Sequence, residues 1–208
     1  METENIVFKN FENKKKNLSL KKKLFKFLNF KKLLKKYPLL ISLTDEYDYT
    51  FKKEKLKKLK QYSEFNLIGM GGSILGAEAI YDFLNHKIKK KFFFLNNLQN
   101  RKILKSKNKR LNLIISKSGN TLETNSNLNL ILTKQNKNHN LIITENKKNI
   151  LNKISHKLRA DIIEHKNYIG GRYSVLSEVG MIPAELMGLK EKKFKRLNYL
   201  AKNKKFMN

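Results

Sequence analysis

Cysteine is absent from all 208 residues, which removes a disulfide framework, a thiolate nucleophile and a thiolate metal site from consideration. No apolar run approaches the roughly 18 to 20 residues that span a bilayer. The first residues carry Glu2 and Glu4 with no apolar core ahead of their lysines, so they do not read as a secretory signal. Acidic residues number only 17, leaving a formal net charge of +29. That balance usually points to a polyanionic partner. Arginine, however, is scarce: it stands at positions 101, 110, 159, 172 and 196 and makes up five of the 46 basic residues. Arginine is the preferred residue for bidentate recognition of bases and phosphates. The lysine excess, set among Asn, Ile, Leu and Phe, is also what an AT-rich coding bias produces without any binding role. The expectation is therefore a solvated lysine surface on a soluble, cytoplasmic protein, with no specific nucleic acid, no membrane, no metal and no cofactor.

The length suits one ordinary domain plus an accessory segment. Residues 14–62 alternate lysine runs with apolar pairs. Apolar residues at 24, 27, 28, 30, 33, 34 and 37 follow helical spacing, and Pro38 ends the run. An amphipathic helix that packs its stripe on the domain is preferred here to a basic membrane-surface helix. From Phe65 the texture changes to short apolar runs separated by helical stretches, the pattern of βαβ units. Strands are expected at 65–69, 92–96, 111–116, 140–144 and 161–163, and helices at about 73–85, 121–135, 147–157 and 177–188. Residues 97–110 read as a short helix or loop. The division expected is a helical accessory segment at 1–62, an α/β domain at 63–190 and a basic helical tail at 191–208. Five parallel strands with crossovers imply a doubly wound, flavodoxin-like sheet. In its common order, 2-1-3-4-5, the ligand crevice lies between the carboxyl ends of strands 1 and 3.

The loops at those two strand ends carry the chemistry. After strand 1 comes Gly69-Met70-Gly71-Gly72-Ser73-Ile74-Leu75-Gly76, running into a helix. Glycines let the backbone approach an anion, helix-start N–H groups attract it, and Ser73 could cap the helix and contact a phosphate at once. The glycine register does not fit a dinucleotide fingerprint, and there is no P-loop lysine. After strand 3 comes Ser116-Lys117-Ser118-Gly119-Asn120-Thr121-Leu122-Glu123-Thr124. Four hydroxyls and an ammonium at a helix start suit a phosphate monoester dianion.

These two loops, G-x-G-G-S-x-L-G and S-K-[ST]-x-[NT]-T-x-E-T, resemble the phosphate-binding signature of sugar isomerase (SIS) domains in the form found in glucose-6-phosphate isomerases. A third block, Ile169 to Gly180 with Gly170-Gly171-Arg172-Tyr173-Ser174, is similar to that family's G-G-R-[FY]-S segment. The resemblance covers roughly residues 65–188. It implies interconversion of glucose 6-phosphate and fructose 6-phosphate, with a hexose 6-phosphate as partner and a homodimer for the full-length family. By the same resemblance Gly72 and Ser73 contact the substrate. Ser116, Lys117, Ser118 and Thr121 hold the phosphate, with Thr124 as a further hydroxyl near it. Arg172 lies by the reacting carbons, where a fixed guanidinium stabilises an enediol-type intermediate.

In the family a glutamate moves the proton while a histidine and a lysine assist, and all three belong to blocks beyond the G-G-R segment. A chain cut short before them is therefore expected. His86, His139, His156 and His165 do not fall at the ends of strands 1 or 3, and Glu178 and Glu185 read as partly exposed helix glutamates; none is taken as the base. The alternative reading is a stand-alone SIS module that binds sugar phosphates without turnover.

Overall fold

Strands buried on both faces appear in sequence as nearly continuous apolar runs, and this chain has several. The computed structural model describes residues 2–3, 6–7, 35–98, 108–134 and 138–195. The chain divides into two compact units, Met1–Pro38 and Leu39–Asn208. In the first, Glu2–Thr3 pairs antiparallel with Ile6–Val7, and Lys35 and Lys36 are helical. The rest of the expected amphipathic helix, through residue 34, lies outside the described residues. So do 99–107 of the polar link and 196–208 of the tail.

The second unit is a five-stranded, all-parallel sheet with β1 at Glu64–Ile68, β2 at Lys91–Leu95, β3 at Arg110–Ile115, β4 at His139–Thr144 and β5 at Asp161–Glu164. Its order is β2-β1-β3-β4-β5, the 2-1-3-4-5 order expected. The first four strands begin one residue earlier than the apolar runs suggest, on the polar Glu64, Lys91, Arg110 and His139. Six α-helices are described: α1 Lys53–Leu59, α2 Leu75–Phe83, α3 Leu122–Lys134, α4 Ile150–Leu158, α5 Glu178–Leu186 and α6 Glu191–Phe194.

The two-residue period of the strands sorts the core into two layers. Phe65, Leu67, Leu111, Leu113, Ile115, Leu141 and Ile143 face one side, where they meet Leu56 and Leu59 of α1, Ala77 of α2 and Val179, Ile182 and Leu186 of α5. Ile68, Ile114 and Ile142 face the other side, against Leu128 and Ile131 of α3 and Leu151 of α4. That second face also carries three asparagines in register, Asn66 beside Asn112 beside Asn140. Their amides form a buried ladder, Asn66 Nδ2 donating to Asn112 Oδ1 at 2.8 Å and Asn112 Nδ2 to Asn140 Oδ1 at 2.9 Å. At the amino ends of the same strands Arg110 Nε donates to Glu64 Oε2 at 2.7 Å, with both side chains at most 10% exposed.

Candidate functional site

Because β1 turns off toward β2 on one side and β3 begins on the other, their carboxyl ends form the topological switch point, the place where open α/β sheets bind ligands. Ile68 pairs with Ile114 at that edge, so the two motif loops leave the sheet side by side.

The loop after β3 is organised by its own hydroxyls. Thr121 Oγ1 stands 2.9 Å from Ser116 Oγ and 3.4 Å from Ser118 Oγ. Ser116 Oγ accepts from Gly119 N at 3.1 Å and Ser118 Oγ from Asn120 N at 3.2 Å. Gly119 has φ +67°, and a Cβ there would fall 2.2 Å from Asn149 Cγ, so no other residue fits this turn unstrained. The loop is also stitched to the one after β4: Leu151 N donates to Gly119 O at 3.2 Å and Ile150 N to Asn120 Oδ1 at 3.0 Å. Ser118 is exposed and Thr121 half-buried at the start of α3, whose first-turn N–H groups lend a partial positive charge. Thr124, one turn into α3, is 1% exposed, and its hydroxyl is unpartnered among the described residues.

The loop after β1 forms a 3-10 turn at Gly71–Ser73 before α2. Ser73 does not cap that helix, as its sequence position suggests it could; Ile74 holds the cap position and no side chain bonds to the helix start there. The inserted 3-10 turn moves the start of the helix past the serine. Gly72 instead touches the third block. A Cβ on it would lie 2.2 Å from Gly171 O, so the two backbones are in direct contact. Ser174 Oγ donates across this junction, 2.7 Å from Gly171 O and 3.0 Å from Gly72 O. Arg172 is exposed on the 3-10 turn Gly171–Tyr173. It lines, with Gly72, Gly76 and Val175, a cavity of about 1030 Å³.

Glycine-rich and hydroxyl-rich turns thus stand side by side at the switch point, the first of them in contact with a Gly-Gly-Arg turn. The sequence model of the family described as phosphoglucose isomerase matches residues 27–201. The chain belongs to the phosphoglucose isomerase family. It is 33% identical over 144 residues to the glucose-6-phosphate isomerase of Methanocaldococcus jannaschii, an alignment covering 65% of this chain and 36% of that protein. It is 30% identical over 185 residues to a probable glucose-6-phosphate isomerase of Methanococcus maripaludis, covering 82% and 42% respectively. The chain thus spans less than half the length of either relative. A solved structure, of a hypothetical protein from Thermus thermophilus, matches 89% of this chain and 48% of that one with a TM-score of 0.63 at 21% identity, a likeness of fold.

Within this phosphoglucose isomerase domain the two α5 glutamates are not partly exposed. Glu178 is fully buried and Glu185 is 7% exposed, because α1 and the 44–50 segment cover a helix whose every residue is buried. Glu178 accepts from Tyr47 Oη at 2.6 Å, Thr50 N at 3.0 Å and Thr50 Oγ1 at 3.2 Å. Burial, with the Glu178 carboxylate, pushes the Tyr47 phenol well above its ordinary range, so it remains a donor. Glu185 pairs with Lys60 at 2.7 Å. Both carboxylates are thus held by structural partners. His165, 2% exposed just past β5, is held below the ordinary histidine range chiefly by burial and is neutral at pH 7. Among the described residues no cluster of three His, Asp or Glu could hold a metal ion, and no helix is long and apolar enough to cross a membrane.

Two contributors escaped the sequence reading. Ser174 sits inside the third block, but only the fold shows that its hydroxyl ties that block to the first loop. Asn149, which caps α4 by accepting from Asn152 N at 2.8 Å, also packs against Gly119. Its position just before the apolar Ile150-Leu151 pair is the signal that marks it as a cap.

Proposed function

We propose that this chain is the sugar-phosphate-binding part of a glucose-6-phosphate isomerase, acting on hexose 6-phosphates in the cytoplasm. The observation that carries the reading is the meeting of three motif segments at one edge of the sheet: the Gly72 backbone lies against Gly171, and the hydroxyl loop leaves the neighbouring strand. Ser116, Ser118 and Thr121 offer hydroxyls to a phosphate, and the loop's N–H groups and the start of α3 add the positive end of the helix dipole. Lys117 contributes its charge, Thr124 a buried hydroxyl behind them, and Gly72 and Ser73 the wall toward the sugar.

Arg172 completes the proposal. Moving a carbonyl between C1 and C2 builds negative charge on an enediol-type intermediate, and the Arg172 guanidinium, carried on a turn that backs onto Gly72, offers positive charge to stabilise it. Proton transfer needs a positioned base, worth about 10²- to 10⁴-fold, but Glu178 and Glu185 are held by Tyr47, Thr50 and Lys60, and His165 is buried with its Nδ1 3.1 Å from Lys166 O. The chain is therefore expected to bind glucose 6-phosphate and to turn it over far more slowly than about 1 s⁻¹, the low end of ordinary enzyme rates. Titration calorimetry with glucose 6-phosphate and a coupled assay for fructose 6-phosphate test this. Absence of binding removes the site assignment. Turnover at ordinary enzyme rates would mean that one of those three residues serves as the base.

A further inference from the structure

The lysine of the hydroxyl loop is engaged with protein partners. Lys117 Nζ donates to Asn167 O at 2.6 Å and stands 3.5 Å from Glu145 Oε1. Glu145 is 8% exposed, and its other oxygen, Oε2, holds Lys147. Burial alone would raise the pKa of this carboxyl group, but the Lys147 and Lys117 ammonium groups override that and hold it below the ordinary carboxylate range. It is ionised at neutral pH.

The backbone fixes where this carboxylate stands. Glu145 N donates to Lys117 O at 3.1 Å, while Asn149 Nδ2 and Asn152 Nδ2 donate to Glu145 O at 3.3 and 3.1 Å. Lys117 is different: its ammonium rides on a flexible four-carbon stem with three donors, and its side chain is 32% exposed. A fixed negative charge thus faces a movable positive one at the margin of a loop built for an anion. Left to itself, such a carboxylate repels the ligand.

We propose that Glu145 is a positioning residue that parks the Lys117 ammonium between itself and the Asn167 carbonyl in the unliganded protein and yields it to an incoming phosphate dianion. This rests on the sugar-phosphate reading above. The arrangement favours doubly charged ligands, since attraction for the ammonium scales with ligand charge and a dianion competes with a carboxylate better than a monoanion does.

The test is calorimetric titration of the 208-residue chain with glucose 6-phosphate and with inorganic phosphate, in the wild type, Glu145→Gln, Lys117→Met and the double variant. Glu145→Gln is expected to tighten binding about three- to fivefold, the scale of a partly exposed ion pair. In the Lys117→Met background the same change is expected to gain less than about 1.5-fold, a departure from additivity that only coupling through the lysine produces. Equal gains in both backgrounds would mean plain through-space repulsion and overturn the proposal. So would a lower thermal midpoint with unchanged affinity, the mark of a purely structural residue. If Glu145→Gln does not fold, Glu145→Asp keeps the charge but shortens its reach. It too should bind more tightly than wild type, and unchanged affinity there overturns the proposal. If the wild type binds neither ligand, the sugar-phosphate reading itself falls and this inference with it. Binding by the wild type that Glu145→Gln leaves unaltered removes only the role of Glu145.

Discussion

Thr121 Oγ1 stands within 3.4 Å of both Ser116 and Ser118, so the three hydroxyls organise one another before any ligand arrives. A ligand phosphate exchanges hydroxyl–hydroxyl contacts for charge-assisted ones, each worth about 1.5 to 3 kcal/mol. Replacing Ser118 and Thr121 together by Ala should therefore weaken glucose 6-phosphate binding by at least about a hundredfold, the equivalent of about 2.7 kcal/mol. Both positions retain some exposure, so the unfolding midpoint should move little. Calorimetry paired with a thermal melt reads both; unchanged affinity in a folded double variant would remove these residues from the site. At this scale the sequence was informative about residue types and blind to engagement. The hydroxyls could be proposed from their clustering at a helix start and Arg172 only through the family resemblance, yet nothing in the string shows that Lys117 is held by Glu145 and Asn167. Nor does it show that Glu178 is buried under Tyr47 and Thr50, since those partners lie 28 to 131 positions away.

At the scale of elements, the strands and helices were legible because the two-residue and 3.6-residue periods are local properties, and the parallel order followed from alternation and crossover rules. Two of the four strand starts were missed by one residue because Glu64 and Arg110, polar in the sequence, are buried as a pair inside the sheet; at Lys91 and His139 a polar side chain stands on the first paired position. The amide ladder was not legible either. Asn66, Asn112 and Asn140 lie in separate strands, and only the register brings them together. A ladder of this kind penalises slippage, because a shift by one residue would leave buried amides unpaired among apolar side chains. Asn112 is its middle member, accepting on one side and donating on the other. Asn112→Ala should cost about 2 to 6 kcal/mol, since it orphans a donor on Asn66 and an acceptor on Asn140 at about 1 to 3 kcal/mol each. Replacing all three asparagines by leucine should cost much less than that single change. Denaturant unfolding with the slope held constant checks it; a triple variant less stable than the single one would refute the account.

For the molecule as a whole, the charge of +29 comes almost wholly from lysine, and the arginines suited to bidentate phosphate recognition are few. Of the five arginines, Arg110 is sealed against Glu64 and Arg159 serves a left-handed helix end at φ 46°. Arg172 stands on the turn beside the cavity, and Arg101 and Arg196 lie outside the described residues. DNA association should accordingly be weak and indifferent to sequence, with a Kd no tighter than about 10⁻⁶ M near physiological salt and a steep fall as salt rises. Electrophoretic shifts across a salt series measure this, and nanomolar, sequence-selective binding would reverse the reading. The contact between Gly72 and Gly171 also has a mechanical meaning at this scale. Two main chains meet there with no side chain between them, bridged by the Ser174 hydroxyl. The spacing between the first loop and the arginine turn is therefore fixed by atomic radii rather than by rotamers. The two walls act as one jaw, and the position of the guanidinium's anchor is inherited from the sheet edge itself.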